Sequence, residues 1–250
     1  MEQYLFTGTI LPERAQLSLQ FALGFEHLTS GQPAQAKVSV VFNQLAVWVD
    51  SESEWNILDL RNVVQNVVQS ELALVGYLRG YAYDLELTRV LNQGRGIDYV
   101  FGIDTPCLAE RGQSVDLSEE LPKLHKKIVG ANGVFLNRCF GDLVSSMKHP
   151  DDTAFYCYRA IESLRHHCAA LHGLSKDKTR QWEKFREVSG CDEQALRTIK
   201  EAADPLRHGE ASRTTSEDRA KLFMMTWDVV DGYLNSVQPD RENVAPDDAA

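Results

Sequence analysis

Residues 59–80 read DLRNVVQNVVQSELALVGYLRG, and this stretch decides the fold class of the first half of the chain. Its apolar residues recur every three or four positions, as they do along one side of an α-helix. They are Val63, Val64, Val67, Val68, Leu72, Val75 and Leu78. The segments on either side of this stretch have a different period, so one helix is predicted here between strands.

The neighbouring segments have the pattern of β-strands. Three precede the helix, at residues 4–11, 16–25 and 38–49, and two follow it, at residues 81–91 and 97–103. In residues 16–25 apolar side chains alternate with others, which is the period of a strand with one buried face. The order β-β-β-α-β-β predicts a mostly antiparallel sheet with one packed helix, a β-rich domain over residues 1–105.

The second half of the chain is predicted to be all helical. Helices are expected at residues 123–147, with an interruption at 130–133, and at 153–172, 176–188, 192–206 and 216–237. The polar residues 106–121 are predicted to form a linker, residues 122–237 a bundle, and residues 238–250 a disordered acidic tail. The predicted fold class is therefore α+β, with a C-terminal all-α helical bundle.

Composition limits the function classes. The chain has 250 residues, of which 43% are hydrophobic, and this is enough apolar material for a core. No apolar run reaches the roughly 18 residues of a membrane helix, and the first residues lack the features of a signal peptide. We therefore expect a cytoplasmic protein without a membrane partner. A net charge of -10 argues against a protein that coats duplex DNA, but it allows a local basic site.

Cysteines and cofactor motifs give little support to redox or metal chemistry. No two cysteines have the spacing of a zinc or redox motif, and three lie among apolar helix positions. We expect small buried hydrophobic side chains, and a catalytic cysteine is the alternative. The chain also lacks a phosphate loop and His-Glu-x-x-His, so neither a cofactor nor a metal is predicted. The five cysteines are Cys107, Cys139, Cys157, Cys168 and Cys191.

One distinctive segment, residues 202–209, reads AADPLRHG and is predicted to end a helix. Gly209 supplies the left-handed conformation that ends many helices. Arg207 and His208 then lie at the negative end of the helix dipole. The pair is either a charged helix cap or a pair of cationic side chains that binds a phosphate.

A second segment, residues 156–167, reads YCYRAIESLRHH. Arg159, Glu162 and His166 are three and four positions apart, so they share one side of the helix. They either form solvated ion pairs or, if they are buried against Arg207 and His208, line a polar pocket. In that pocket Glu162 could orient a histidine or an arginine.

A third feature is a concentration of basic residues in the same region, with Trp182 among them. Such a surface can bind a nucleic-acid backbone and stack a base. The alternative is an ordinary basic helix surface with Trp182 in the core. The basic residues are Arg165, Lys176, Lys178, Arg180, Lys184 and Arg186.

Two of these segments resemble the HEPN superfamily of helical domains. The resemblance rests on YRAIESLR at residues 158–165 and ADPLRHG at residues 203–209, and it covers about residues 120–237. It implies a domain related to metal-independent ribonucleases, which are usually dimers and use an arginine followed shortly by a histidine. His208 has the position of that histidine, whereas residues 201–203, where the arginine would lie, are Glu201, Ala202 and Ala203. Arg159 and His166 have the permitted spacing, but they lie in the middle of a helix.

The resemblance leaves three hypotheses open. The first is a module of a bacterial defence or stress-type system that binds RNA or a nucleotide phosphate. The second is an active ribonuclease in which His208 and Arg207 are catalytic. The third is a structural protein that forms a homodimer through its helical domain, and in each case the partner of the N-terminal domain is unidentified. The predicted binding residues are Arg159, Asp204, Glu162, Arg165 and His166.

Overall fold

The structure of the chain is a computed structural model that describes residues 1–27, 30–102, 105–174, 176–210 and 214–237. The chain divides into two compact units, Met1–Ile103 and Asp104–Ala250. The first contains the sheet and the second contains the bundle, as the α+β class predicts. Residues 238–250, predicted to be a disordered tail, lie outside the described residues.

The first unit contains a six-stranded sheet in the order β2-β3-β4-β1-β5-β6, in which neighbouring strands are antiparallel. In β1 every second residue, including Tyr4, Phe6 and Ile10, points into the core. This is the period that an antiparallel sheet with one covered face requires. The strands are β1 (Glu2–Leu11), β2 (Leu19–Glu26), β3 (Pro33–Val41), β4 (Gln44–Ser51), β5 (Asp84–Asn92) and β6 (Ile97–Val100).

Helix α1 (Ile57–Arg79) packs on the sheet, begins two residues before the predicted Asp59 and ends next to Gly80, as predicted. The side chain of Asn56 accepts hydrogen bonds from the backbone of Leu58 and Asp59, and Gly80 ends the helix with a φ of 68°. The predicted apolar stripe is confirmed at its centre but not at its end, since Leu78 is 80% exposed. The fully buried residues of the helix are Leu60, Val64, Val68 and Leu72, of which Leu60 lies outside the predicted stripe.

The predicted strand over residues 38–49 is wrong, because the chain forms a hairpin there. Phe42 and Asn43 have φ values of 46° and 69°, which makes a two-residue turn between β3 and β4. Asn43 is buried, and its side-chain amide donates to the carbonyl of Ile10 at 2.6 Å and accepts from the backbone N–H of Leu17 at 2.6 Å. Asparagine tolerates this backbone conformation, so the turn forms without a glycine.

The second unit is helical throughout its regular structure. The predicted linker, residues 106–121, is itself largely helical, since it contains α2 and the start of α3. The predicted break at residues 130–133 is confirmed between α3 and α4. Within the described residues, no helix combines the length and the apolar character needed to span a membrane. The helices are α2 (Ala109–Gln113), α3 (Leu117–Ile128), α4 (Gly133–Lys148), α5 (Thr153–Leu171), α6 (Lys178–Ser189), α7 (Glu193–Arg207) and α8 (Ser216–Ser236).

Helix α5 is the centre of this unit and packs against α4, α6, α7 and α8. Ile161 and Leu164 are fully buried, and Phe185 of α6 and Tyr233 of α8 close the core around them. Because α5 is covered on most sides, several of its polar side chains are also removed from water. Their partners on α4, α6, α7 and α8 therefore decide what the polar residues of this helix can do.

Helices α6 and α8 approach each other closely at Gly232. A methyl group added at Gly232 would lie 2.3 Å from the carbonyl oxygen of Ser189, which is a backbone atom that cannot turn away. Gly141 in α4 provides a matched control, because nothing lies within 4 Å of the methyl group it would gain. Both glycines lie inside helices, where alanine is the better helix former.

The two substitutions are expected to have opposite effects on the free energy of unfolding, measured by urea denaturation with circular dichroism. Gly232→Ala should lower it by about 1–3 kcal/mol through overpacking. Gly141→Ala should raise it by up to about 1 kcal/mol through helix propensity. Equal effects of the two variants would contradict the close approach of α6 and α8.

Candidate functional site

Helix α7 ends at the turn that the sequence predicts. Gly209 has a φ of 82°, and the backbone N–H of Glu210 donates to the carbonyl of Pro205 at 3.0 Å. This pattern of left-handed glycine and reversed hydrogen bond satisfies the last carbonyls of the helix. Arg207 and His208 are therefore held at the C-terminal end of α7, as predicted.

Arg207 reaches the central helix α5. Its guanidinium carbon lies 5.4 Å from the centre of the Tyr158 ring, and its Nη1 lies 3.1 Å from Oδ1 of Asp204. Lys200 donates to the same carboxylate at 2.7 Å, and hydrogen bonds from Lys200 and then Arg207 lower the pKa of Asp204. The charge of Arg207 is thus already compensated in part by its own helix.

His208 lies apart from this contact. Its side chain is exposed, and it has no hydrogen bond to any residue in the part of the chain that the structure describes. The adjacent Arg207 and His208 therefore point to different surroundings, one against Tyr158 and the other in solvent. The geometry does not bring these two side chains together around one position.

Arg159 is bound by α4 and not by the end of α7. Its Nε donates to Oδ1 of the buried Asp142 at 2.9 Å, and this hydrogen bond raises the pKa of Arg159. The same guanidinium lies over the rings of Phe155 and Tyr156, at 5.3 and 5.0 Å. Within the described ranges, Arg159 therefore makes no contact with Arg207 or His208 that would support its predicted role.

Aromatic rings connect the remaining predicted residues. Tyr158 is buried and stacks on Trp182 of α6, with 6.2 Å between ring centres and 20° between planes. Arg165 lies over the other ring of this pair, 5.0 Å from the centre of Trp182. Burial raises the pKa of Tyr158 to about 12, and the half-buried Glu162 adds to that effect. Trp182 is thus part of the packed interior and also a support for a cation.

Arg165 is the least usual of these residues, because it is a buried cation at 4% exposure. Its Nη1 donates to Oε1 of Gln181, and its Nη2 lies 2.9 Å from Nε2 of His166. Gln181 in turn donates to the carbonyl of Leu174 at 2.6 Å. Burial lowers the pKa of Arg165, and the negative charge of Glu162 opposes this shift only in part. No carboxylate among the described residues lies within ion-pair distance of Arg165.

His166 lies above Arg165 at the surface and stacks on Phe135 of α4, with 5.9 Å between ring centres. Partial burial lowers the pKa of His166, and the positive charges of Arg165, Lys178 and Arg138 lower it further. Only Glu162 acts in the opposite direction among the causes of this shift. We call Arg138, Arg165, His166 and Lys178, with the ring of Phe135, the His166 cluster.

The cations of the His166 cluster differ from most arginines of the helical unit, which have a carboxylate within ion-pair distance. Arg138, Arg165 and Lys178 have no carboxylate within ion-pair distance in the described part of the chain, although the protein has a net charge of -10. Three cations without a carboxylate partner therefore lie around one histidine, and this arrangement suits an anionic ligand. Arginines that do have a carboxylate are Arg111, Arg159, Arg180, Arg186, Arg197 and Arg207.

The sequence indicates only part of this cluster. Arg165, His166 and Lys178 belong to the basic stretch singled out above, whereas Arg138, Phe135 and Gln181 do not. Arg138 and Phe135 come from α4, and nothing in their local sequence connects them with residue 166. Their contribution arises from the packing of α4 on α5 and could be found only from the structure.

Cysteine and metal chemistry have weak support in the structure. Cys139, Cys157 and Cys168 are buried as predicted, and burial raises the pKa of each thiol, which disfavours the reactive thiolate. Cys107 and Cys191 are partly exposed, and burial raises their pKa as well. The described residues contain no group of three histidine, cysteine or acidic side chains that could hold a metal ion.

Comparison with known families identifies both halves of the chain. Residues 4–101 match the N-terminal domain, and residues 121–238 the C-terminal domain, of the domain of unknown function DUF8168. No curated protein and no solved structure matches the chain significantly. The boundaries of the two matches agree with the two units of the structure.

The electrostatics of the His166 cluster predict an acidic shift of one histidine. Nuclear magnetic resonance should show that His166 titrates below its ordinary pKa of about 6.5, and that Arg138→Gln moves this pKa upward. Arg197→Gln, which removes an arginine paired with Glu201, should leave it unchanged. An unchanged pKa of His166 in Arg138→Gln would contradict the proximity of these charges.

The same shift has a consequence for stability. The folded protein binds a proton at His166 less readily than the unfolded chain does. The contribution of His166 to the free energy of unfolding is therefore fully present above a pH of about 6.5 and is lost as the pH falls through and below its folded pKa.

Proposed function

We propose that this chain, which belongs to the DUF8168 family through both of its domains, binds a phosphate-bearing ligand, RNA or a nucleotide, at the His166 cluster. One observation carries the proposal: Arg165 is a buried cation with no carboxylate partner in the described structure, and Arg138 and Lys178, also unpaired, lie around the same histidine. The ligand would add negative charge to that of Glu162, which offsets the burial of Arg165 only in part.

The energetic argument concerns desolvation. A guanidinium removed from water loses hydration, and this loss is usually offset by a carboxylate or a phosphate. At Arg165 the protein offers instead a neutral amide from Gln181, a histidine and the ring of Trp182. A phosphate near this guanidinium would recover a charge-assisted interaction that the protein alone lacks.

The exposed members of the cluster are suited to direct contact with such a ligand. Arg138, His166 and Lys178 are exposed, so their donors are accessible from solvent, whereas Arg165 lies beneath them and acts mainly through its charge. Phe135 is half-buried and presents a ring on which a base could stack. Cations beside an aromatic ring are the combination that proteins use for single-stranded nucleic acids.

The resemblance to the HEPN superfamily supports RNA as the class of ligand. Under this proposal the helical unit acts in the cytoplasm, as a homodimer, within a bacterial defence or stress-type system. Asp204, Arg207 and Glu162 lie around Tyr158, which stacks on Trp182 beside Arg165, and would border the ligand. A ribonuclease that uses His208 remains the alternative, and cleavage of RNA separates it from a binding module.

Binding of a single-stranded RNA oligonucleotide, followed by fluorescence anisotropy, tests the proposal. The double variant Arg138→Gln with Lys178→Gln should weaken binding by on the order of tenfold, because both side chains contact phosphate. The dependence of affinity on salt should also fall, by about 0.7 in logarithmic slope for each lost contact. The matched control is Lys123→Gln with Lys221→Gln, which removes two exposed lysines paired with Glu120 and Glu217 and should leave both quantities nearly unchanged.

Equal loss of affinity in the two double variants would mean that binding depends on net charge alone, and the proposal would fail. Incubation with RNA and EDTA gives the further outcome. Cleavage that His208→Ala abolishes would establish the ribonuclease in place of the binding module.

A further inference from the structure

The contact between Arg165 and His166 determines where the histidine carries its proton. Arginine has five N–H donors and no acceptor, so the ring nitrogen 2.9 Å from its Nη2 must accept. That nitrogen is Nε2 of His166, which is therefore without a proton in this arrangement. A neutral imidazole then carries its N–H at Nδ1, and this atom has no hydrogen-bond partner among the residues that the structure describes.

Gln181 fixes the guanidinium that imposes this arrangement. Its Oε1 accepts from Nη1 of Arg165, and its Nε2 donates to the carbonyl of Leu174 at 2.6 Å. The two contacts require opposite ends of the amide, so the side chain has one orientation. The ring of Trp182 supports the other side of the guanidinium. The guanidinium of Arg165 is thus fixed by a hydrogen bond from one side and a ring contact from another, and in this position it donates to His166.

The side chain at position 181 is a neutral amide, although proteins more often bind an arginine with a carboxylate. A glutamate at this position would neutralise the charge of Arg165, as carboxylates do at other arginines of this unit. The amide gives the same acceptor geometry without a negative charge. Gln181 therefore holds the guanidinium in place and preserves its positive charge.

We propose that Gln181 is a positioning residue: through Arg165 it holds neutral His166 in the tautomer whose Nδ1–H is available to donate to a ligand phosphate oxygen. This inference rests on the proposed function for the identity of the ligand. The arrangement within the protein does not depend on the ligand. The two can therefore be tested separately.

Nitrogen-15 chemical shifts of His166 in the free protein test the arrangement, at a pH where the ring is neutral. They should show a protonated Nδ1 and an unprotonated Nε2. Gln181→Met, which keeps the approximate length of the side chain and removes both hydrogen bonds, should shift the population toward the other tautomer. It should also weaken RNA binding several-fold. Gln194→Met, at an exposed glutamine of α7, is the control and should change neither quantity.

A protonated Nε2 in the free native protein would overturn the inference, and this measurement requires no variant to fold. An unchanged tautomer and unchanged affinity in Gln181→Met would overturn it as well. If the tautomer is as stated and RNA does not bind to the native protein, the positioning of His166 stands and the proposed function fails.

Discussion

The buried guanidinium of Arg165 is the constraint on which the functional interpretation of the helical unit depends. Helix α5 is covered on most sides, so a long cationic side chain at this position cannot be fully hydrated. The protein surrounds it with Trp182, Gln181 and His166, none of which brings a negative charge. No carboxylate among the described residues lies within ion-pair distance of this buried cation, and the charge of Glu162 offsets the cost of its burial only in part.

The surroundings of the other arginines make Arg165 distinctive. Arg159 is six residues earlier on the same helix, yet it is bound by the buried Asp142 of α4. Arg207 lies against Tyr158, but it shares Asp204 with Lys200. These side chains have their charge compensated within the protein, which fits a structural role. The three unpaired cations around His166 create a local positive field on a protein that is acidic as a whole.

Much of the fold can be predicted from local signals, because capping residues in the sequence mark where many of the helices begin and end. Gly209 ends α7 in the left-handed conformation as predicted, and Gly80 and Gly173 adopt the same conformation after α1 and α5. The hairpin at Phe42 and Asn43 was not predicted, because its turn has no glycine and its burial comes from distant contacts. Less of the site can be predicted. The sequence indicates its basic residues on α5 and α6, whereas Arg138 and Gln181 join the site only through the packing of the helices.

The most direct test of the central claim compares the midpoint of thermal unfolding with and without inorganic phosphate, in the native protein and in Arg165→Met. A ligand that binds the folded state raises this midpoint. The account predicts that phosphate raises it in the native protein by more than in Arg165→Met, where only the general stabilising effect of the salt should remain. An equal rise in both proteins, or none in either, would show that the charge of Arg165 does not serve an anion site.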